Sequence, residues 1–145
     1  MVETEVPISI HYLPGSPQLE MTERGDWVDL YVYNDITLTE GEQTYISMGV
    51  SMALPHGYEA IMAPRSSTFK RWGILQTNGI GVIDNSYCGT DDIWMMPVLA
   101  TKSVTIPKGT RLCQFRIQQK QPKLIFKRCD FLGTVNRGGL GSSGV

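Results

Sequence analysis

Arg65, Ser66 and Ser67 stand together in the run APRSSTFKRWGI, a guanidinium and two hydroxyls at the head of a short helical stretch. Such a set can hold phosphate oxygens, the arginine through charge-assisted bonds and the hydroxyls and free helix N–H groups through neutral ones. The plain alternative is that Ser66 caps a helix and Arg65 pairs with a surface carboxylate. A second run, NGIGVIDNSYCG, carries three further groups. Asn78 has both donor and acceptor and can read an imide edge, Asp84 is a candidate base, and Tyr87 offers a flat face to a sugar. Gly79 and Gly81 beside β-branched neighbours suggest a hairpin bare enough for a flat ligand. The same residues also fit a structural turn at Asp84-Asn85 with Tyr87 as a core aromatic.

Gln114 lies among apolar neighbours in RLCQFRI, where an amide must find partners, either backbone across a sheet or a ligand. Asp26 and Asp29 head a strand in GDWVDLYV, the ordinary place for solvated acids. The chain ends RGGLGSSGV, with four glycines and two serines in nine residues. Backbone N–H groups can crowd an anion where side chains are missing. With so little to pack, this tail is expected to be mobile until a ligand or neighbour orders it.

Short alternating segments must position these groups: Trp27 to Tyr33, Thr44 to Val50, Tyr58 to Ala63, Ile93 to Ala100, Arg111 to Ile117 and Lys123 to Cys129. Turn signals separate them at Glu40 to Glu42, Pro55 to Gly57 and Pro107 to Gly109. Evenly spaced strands predict an all-β sandwich, jelly roll or barrel. One helix is expected, from Ser66 to the terminating Gly73.

At 145 residues with net charge −1, the chain fits one domain with no overall field to hold nucleic acid or an acidic membrane. Cys88, Cys113 and Cys129 have no metal-ligand spacing and read as reduced thiols. His11 and His56 are too far apart in sequence to support a metal cluster or a nucleophile-base pair. The acidic N-terminus and the lack of a long apolar run point to a cytoplasmic protein with no membrane span.

Taken in order, GDWVDLYV, PRSSTFKRWGI, NGIGVIDNSYCG, RLCQFRI and RGGLGSSG resemble the five motifs of the homotrimeric dUTPases, from Gly25 to Gly144. That resemblance implies a jelly-roll-like β-sandwich over residues 1–135, with one short helix after the PRSS motif, and a mobile phosphate-binding arm over 136–145. It implies a homotrimer whose active sites are shared between subunits. The reaction would be hydrolysis of dUTP to dUMP and pyrophosphate, keeping uracil out of DNA and supplying dUMP for dTMP synthesis. Asp84 would activate water, while Arg65, Ser66, Ser67 and Gln114 hold phosphates. Asn78, Val82 and Ile83 would read uracil, and Tyr87 would lie under the deoxyribose. Mg2+ would be carried by the substrate phosphates, with Asp29 reaching it through water. Arg137, Leu140, Gly141, Ser142 and Ser143 would close over the substrate. Leu140 stands where the family's arm has a base-stacking aromatic, so Leu140, or a residue such as Trp94 or Ile93, would cover the uracil. Cys88 occupies a position where an arginine is common.

Two rival readings set their own requirements. A related dCTP deaminase needs a glutamate near the base, and Asp84 to Ala100 contains none. A regulatory protein on the same scaffold would keep the pocket and use it as a switch.

Overall fold

Alternation decides which face of each strand is buried, and the computed structural model, which describes residues 4–139, follows it. In β2 (Val28–Tyr31), Val28 and Leu30 point inward while Asp29 and Tyr31 stay half-buried on the other face. In β9 (Met95–Ala100) Met96, Val98 and Ala100 are buried, and in β6 (Tyr58–Pro64) Ala60 and Met62 are. The remaining strands are β1 (Ser9–Tyr12), β3 (Ile36–Leu38), β4 (Gln43–Ser47), β5 (Val50–Ala53), β7 (Ile74–Gln76), β8 (Gly81–Ile83), β10 (Val104–Ile106) and β11 (Arg111–Gln119).

The pairings are antiparallel and mostly distant in sequence. One sheet runs β2-β11-β6-β8, another β4-β9-β7, with the pairs β1-β5 and β3-β10 beside them. Between them lies one apolar cluster, in which Trp94 is fully buried and meets Phe115 edge-on at 5.0 Å. This is a mostly-β arrangement with one short helix, as the strand pattern predicts. Among the described residues no helix is long and apolar enough to cross a membrane.

The helix, α1, is shorter than expected, Thr68–Trp72. Gly73 ends it with φ 66°, a left-handed conformation that glycine adopts without cost, and its N–H returns to the Phe69 carbonyl at 2.8 Å. The N-cap position falls on Ser67 rather than Ser66, and Ser67 makes no side-chain capping bond.

Two expectations fail for one reason, that alternation gives a strand's faces but not its partner. Lys123 to Cys129 forms no strand, and Leu124, Ile125 and Phe126 are exposed, Phe126 at 91%. The run NGIGVI is not a hairpin closed on itself: β7 pairs with β9 and β8 with β6, so the Asn78 turn crosses between sheets. A third departure lies in β11, where Leu112 and Cys113 are both buried although simple alternation sets them on opposite faces. The register shifts between Arg111 and Cys113, a β-bulge that inserts one residue and resets the phase. Past it, Phe115 enters the core and Gln114 turns to the opposite face. The Cys113 thiol, 3.5 Å from Met48 Sδ, is pushed far above its ordinary value by desolvation, so it stays protonated.

Candidate active site

The bulge sets Gln114 opposite Asp29 on β2 and opposite Ala63 on β6, so three neighbouring strands bring separate motifs to one end of the sheet. Arg65 follows directly from β6. Its Nε lies 3.2 Å from Asp29 Oδ1 and its Nη1 donates to the Arg111 carbonyl at 3.2 Å. Arg111 Nη1 stands 3.7 Å from the other oxygen of Asp29 and packs over the Tyr31 ring at 5.7 Å. One carboxylate thus holds two guanidiniums, leaving a net positive site suited to an anion. Gln114 Nε2 donates to the Pro64 carbonyl at 3.2 Å, meeting its need for a partner.

Buried Thr68 fastens this end. Its hydroxyl accepts the Arg65 N–H at 3.0 Å and donates to the Leu112 carbonyl at 2.6 Å, fixing the PRSS loop to β11. Ser66 is exposed and Ser67 half-buried.

The second group lies beyond β8. Asp84 Oδ1 accepts the Ser86 N–H at 2.8 Å and the Ser86 hydroxyl at 2.7 Å, and the Tyr87 N–H returns to the Asp84 carbonyl at 3.0 Å. Asn85 pins the turn to the neighbouring loop, its Nδ2 donating to the carbonyls of Leu54, Pro55 and Tyr58 at 3.2, 2.8 and 3.1 Å. The Ser86 hydroxyl first, then the Ser86 N–H and more weakly the Lys120 charge, hold Asp84 below its ordinary value of 3.8 against slight desolvation. Tyr87 is not a core residue: its ring is 39% exposed and its hydroxyl donates to the Ile93 carbonyl at 2.9 Å. Desolvation, then the nearby Asp92 charge, raises its phenol, so Tyr87 remains a neutral donor. Val82 is exposed and Ile83 half-buried.

A lowered Asp84 favours the ionised form in the fold. Its stabilisation is complete above 3.8 and is lost as pH falls through the lower folded value. Ser86→Ala removes the largest cause, so the acid limb of the kcat/KM profile for nucleotide hydrolysis moves to higher pH. A limb that stays in place after the substitution means that Asp84 does not set it.

Within one chain these two groups do not meet. Ile83 pairs with Ala60, so Asp84 continues toward the level of Glu59, whereas Gln114 pairs with Ala63. Pro64 lies five residues beyond Glu59, roughly 17 Å along a strand. Of the arm, Arg137 is exposed with its Nε on the Gly138 carbonyl at 3.3 Å, and Leu140, Gly141, Ser142 and Ser143 lie outside the described residues. Trp94 is fully buried and can cover no ligand, because the core claims its ring. Ile93 is half-buried.

The sequence model of the dUTPase family matches residues 27–144, which include both groups and the arm. The chain belongs to the dUTPase family. The SPbeta prophage-derived deoxyuridine 5'-triphosphate nucleotidohydrolase of Bacillus subtilis (strain 168) is 45% identical over 139 residues, 95% of this chain and 98% of that protein. The Finegoldia magna deoxyuridine 5'-triphosphate nucleotidohydrolase is 37% identical over 116 residues, 79% of this chain and 80% of that one. Among solved structures, the dUTPase of Staphylococcus bacteriophage 80alpha with dUPNHPP gives a TM-score of 0.79 at 18% identity, covering 96% of this chain and 99% of that one. The fold is therefore the dUTPase fold.

Several residues that hold this dUTPase site together carry little sequence signal. Arg111 and Thr68 read as a strand end and a helix residue, and Asn85 as a turn former. Asn85 had a usable clue, since an amide between Asp84 and Ser86 can bond the backbone of another loop. Gln76 escaped notice, although it sits two residues before Asn78 in the buried phase of β7.

Proposed function

We infer that the dUTP nucleotidohydrolase activity of this chain runs by attack of an Asp84-activated water on the α-phosphorus. The water's proton passes to the Asp84 carboxylate, the new P–O bond forms in line, and the bond to the bridging oxygen breaks. The products are dUMP and pyrophosphate. In such transfers the protein chiefly positions groups and neutralises charge. Arg65, Ser66, Ser67 and Gln114 take the phosphate oxygens, with Arg137 and the arm residues Leu140, Gly141, Ser142 and Ser143 closing from residues 136–145. Asn78 and the backbone at Val82 and Ile83 read the uracil, while Tyr87 supports the deoxyribose and leaves no room for a 2′-hydroxyl.

The observation that carries this reading is the separation just described. A single α-phosphorus must touch both the water held by Asp84 and the phosphate grip near Gln114. Their positions in one chain favour a site completed by another copy, as in a homotrimer. Exposed Leu124, Ile125 and Phe126, ahead of the arm, are consistent with chain that packs on a neighbour.

The dUTPase of S. aureus phage phi11 coordinates a structural Mg(II) ion. Among the described residues here, no group of three or more His, Cys, Asp or Glu gathers to form a cage. Asp29, with both oxygens already facing guanidiniums, fits a Mg2+ ion carried by substrate phosphates and touched through water. Such an ion would neutralise phosphate charge.

A pyrophosphate-release panel over dUTP, dTTP, dCTP and UTP, with and without Mg2+, tests the reading. Turnover is expected for dUTP with Mg2+ and only weakly for the others. Equal rates on dUTP and dCTP contradict the assigned base-reading residues, and a native mass of one chain with nucleotide bound contradicts the shared site.

A further inference from the structure

β7 sets Gln76 on the same buried face as Ile74, where an apolar side chain is the usual occupant. Gln76 is 9% exposed, and its amide is held by identifiable partners. Nε2 lies 3.1 Å from the Met62 carbonyl oxygen, 3.4 Å from the Gly79 carbonyl oxygen and 2.9 Å from Asn78 Oδ1. Carbonyl oxygens only accept, so the group facing Met62 and Gly79 must be the amino end of Gln76. It follows that the Asn78 atom facing that same amino end is the acceptor, its oxygen.

The amino end of Asn78 is thereby turned the other way. It lies against Gly81, where a Cβ would come within 3.5 Å of Asn78 Nδ2 and within 3.3 Å of Met62 Cβ. Glycine at this position leaves that amino group uncovered. Gln76 gains little for itself, because its own Oε1 is buried with no partner. An apolar residue of similar volume would avoid that cost. The glutamine is explained by what it does to its neighbour.

We propose that Gln76 is a positioning residue for base selection: main-chain carbonyls fix its amide, and that amide locks Asn78 so that an N–H donor faces the nucleobase. A donor there accepts a pyrimidine with a carbonyl oxygen at C4 and opposes one with an amino group. The proposal rests on the reading of Asn78 as a base-contacting residue and adds the device that sets its polarity.

The test is the ratio of kcat/KM for dUTP to that for dCTP, measured on the full chain with Mg2+. Gln76→Leu frees Asn78 to rotate and lowers the ratio at least about tenfold, the worth of one oriented hydrogen bond. Gln76→Glu lowers it further, since an acceptor-only carboxylate draws the Asn78 amino end inward. In an Asn78→Ala background, Gln76→Leu no longer moves the ratio. An unchanged ratio in folded Gln76→Leu, or an equal drop without Asn78, overturns the proposal. If the leucine variant does not fold, the wild type decides by NMR. The Asn78 side-chain amide protons should shift on adding a non-hydrolysable dUTP analogue, and those of Gln76 should stay; the reverse pattern overturns it. A wild type inactive on dUTP would instead sink the reading of the site itself.

Discussion

Asp84→Asn lowers pyrophosphate release from dUTP by about three orders of magnitude, within the range that a positioned general base supplies. The substitution is nearly isosteric. An asparagine oxygen can still accept both Ser86 bonds, at 2.8 and 2.7 Å in the native turn, so the loop keeps its shape. What disappears is the charge and the site for the water's proton. A non-hydrolysable dUTP analogue is therefore expected to bind the variant about as well as the native protein, which separates a lost base from a collapsed pocket. Isothermal titration with the analogue, beside a pyrophosphate assay, reads both quantities. Native turnover in the variant removes Asp84 from the reaction.

Arg65→Ala reduces kcat/KM for dUTP by about a hundredfold or more, the loss expected when one charged donor to a developing phosphate charge is removed. The effect on folding is small by comparison. The Arg65–Asp29 pair is only partly shielded, at 31% and 26% side-chain exposure, and such pairs contribute about 1 kcal/mol or less. Arg111 still faces Asp29 in the variant. Arg65→Lys recovers part of the loss, because an ammonium supplies charge but cannot bond Asp29 and the Arg111 carbonyl through one planar fork. Steady-state kinetics with a thermal melt checks this. A melting temperature that falls steeply while kcat/KM holds would assign Arg65 to the fold and not to the substrate.

The parts of the site that sequence made legible are those whose chemistry is stated by residue type. An arginine beside two serines, an aspartate at a turn and a glutamine in an apolar strand announce themselves, and the structure gathers Arg65, Asp29 and Gln114 at one end of a sheet. What stayed hidden depends on pairing. Val28–Tyr31 and Met95–Ala100 alternate clearly because each has one face in the core. Three-residue strands such as Ile36–Leu38 and Val104–Ile106 are too short to show a period and exist because they pair with each other. Lys123 to Cys129 has a strand's composition, yet within the described chain it finds no edge to join. Gln76 was invisible for a different reason, since its meaning lies in the carbonyls of Met62 and Gly79, which no pattern of side chains reports.

The irregularity near the start of β11 gives one strand two offsets. Before it, the chain is counted by what the interior needs from Leu112; after it, by what the anion grip needs from Gln114. Interior side chains can therefore drift in size without rotating the amide, but losing a single residue there would exchange the two roles and send Gln114 into the oily side. The strand's length is held more tightly than its composition.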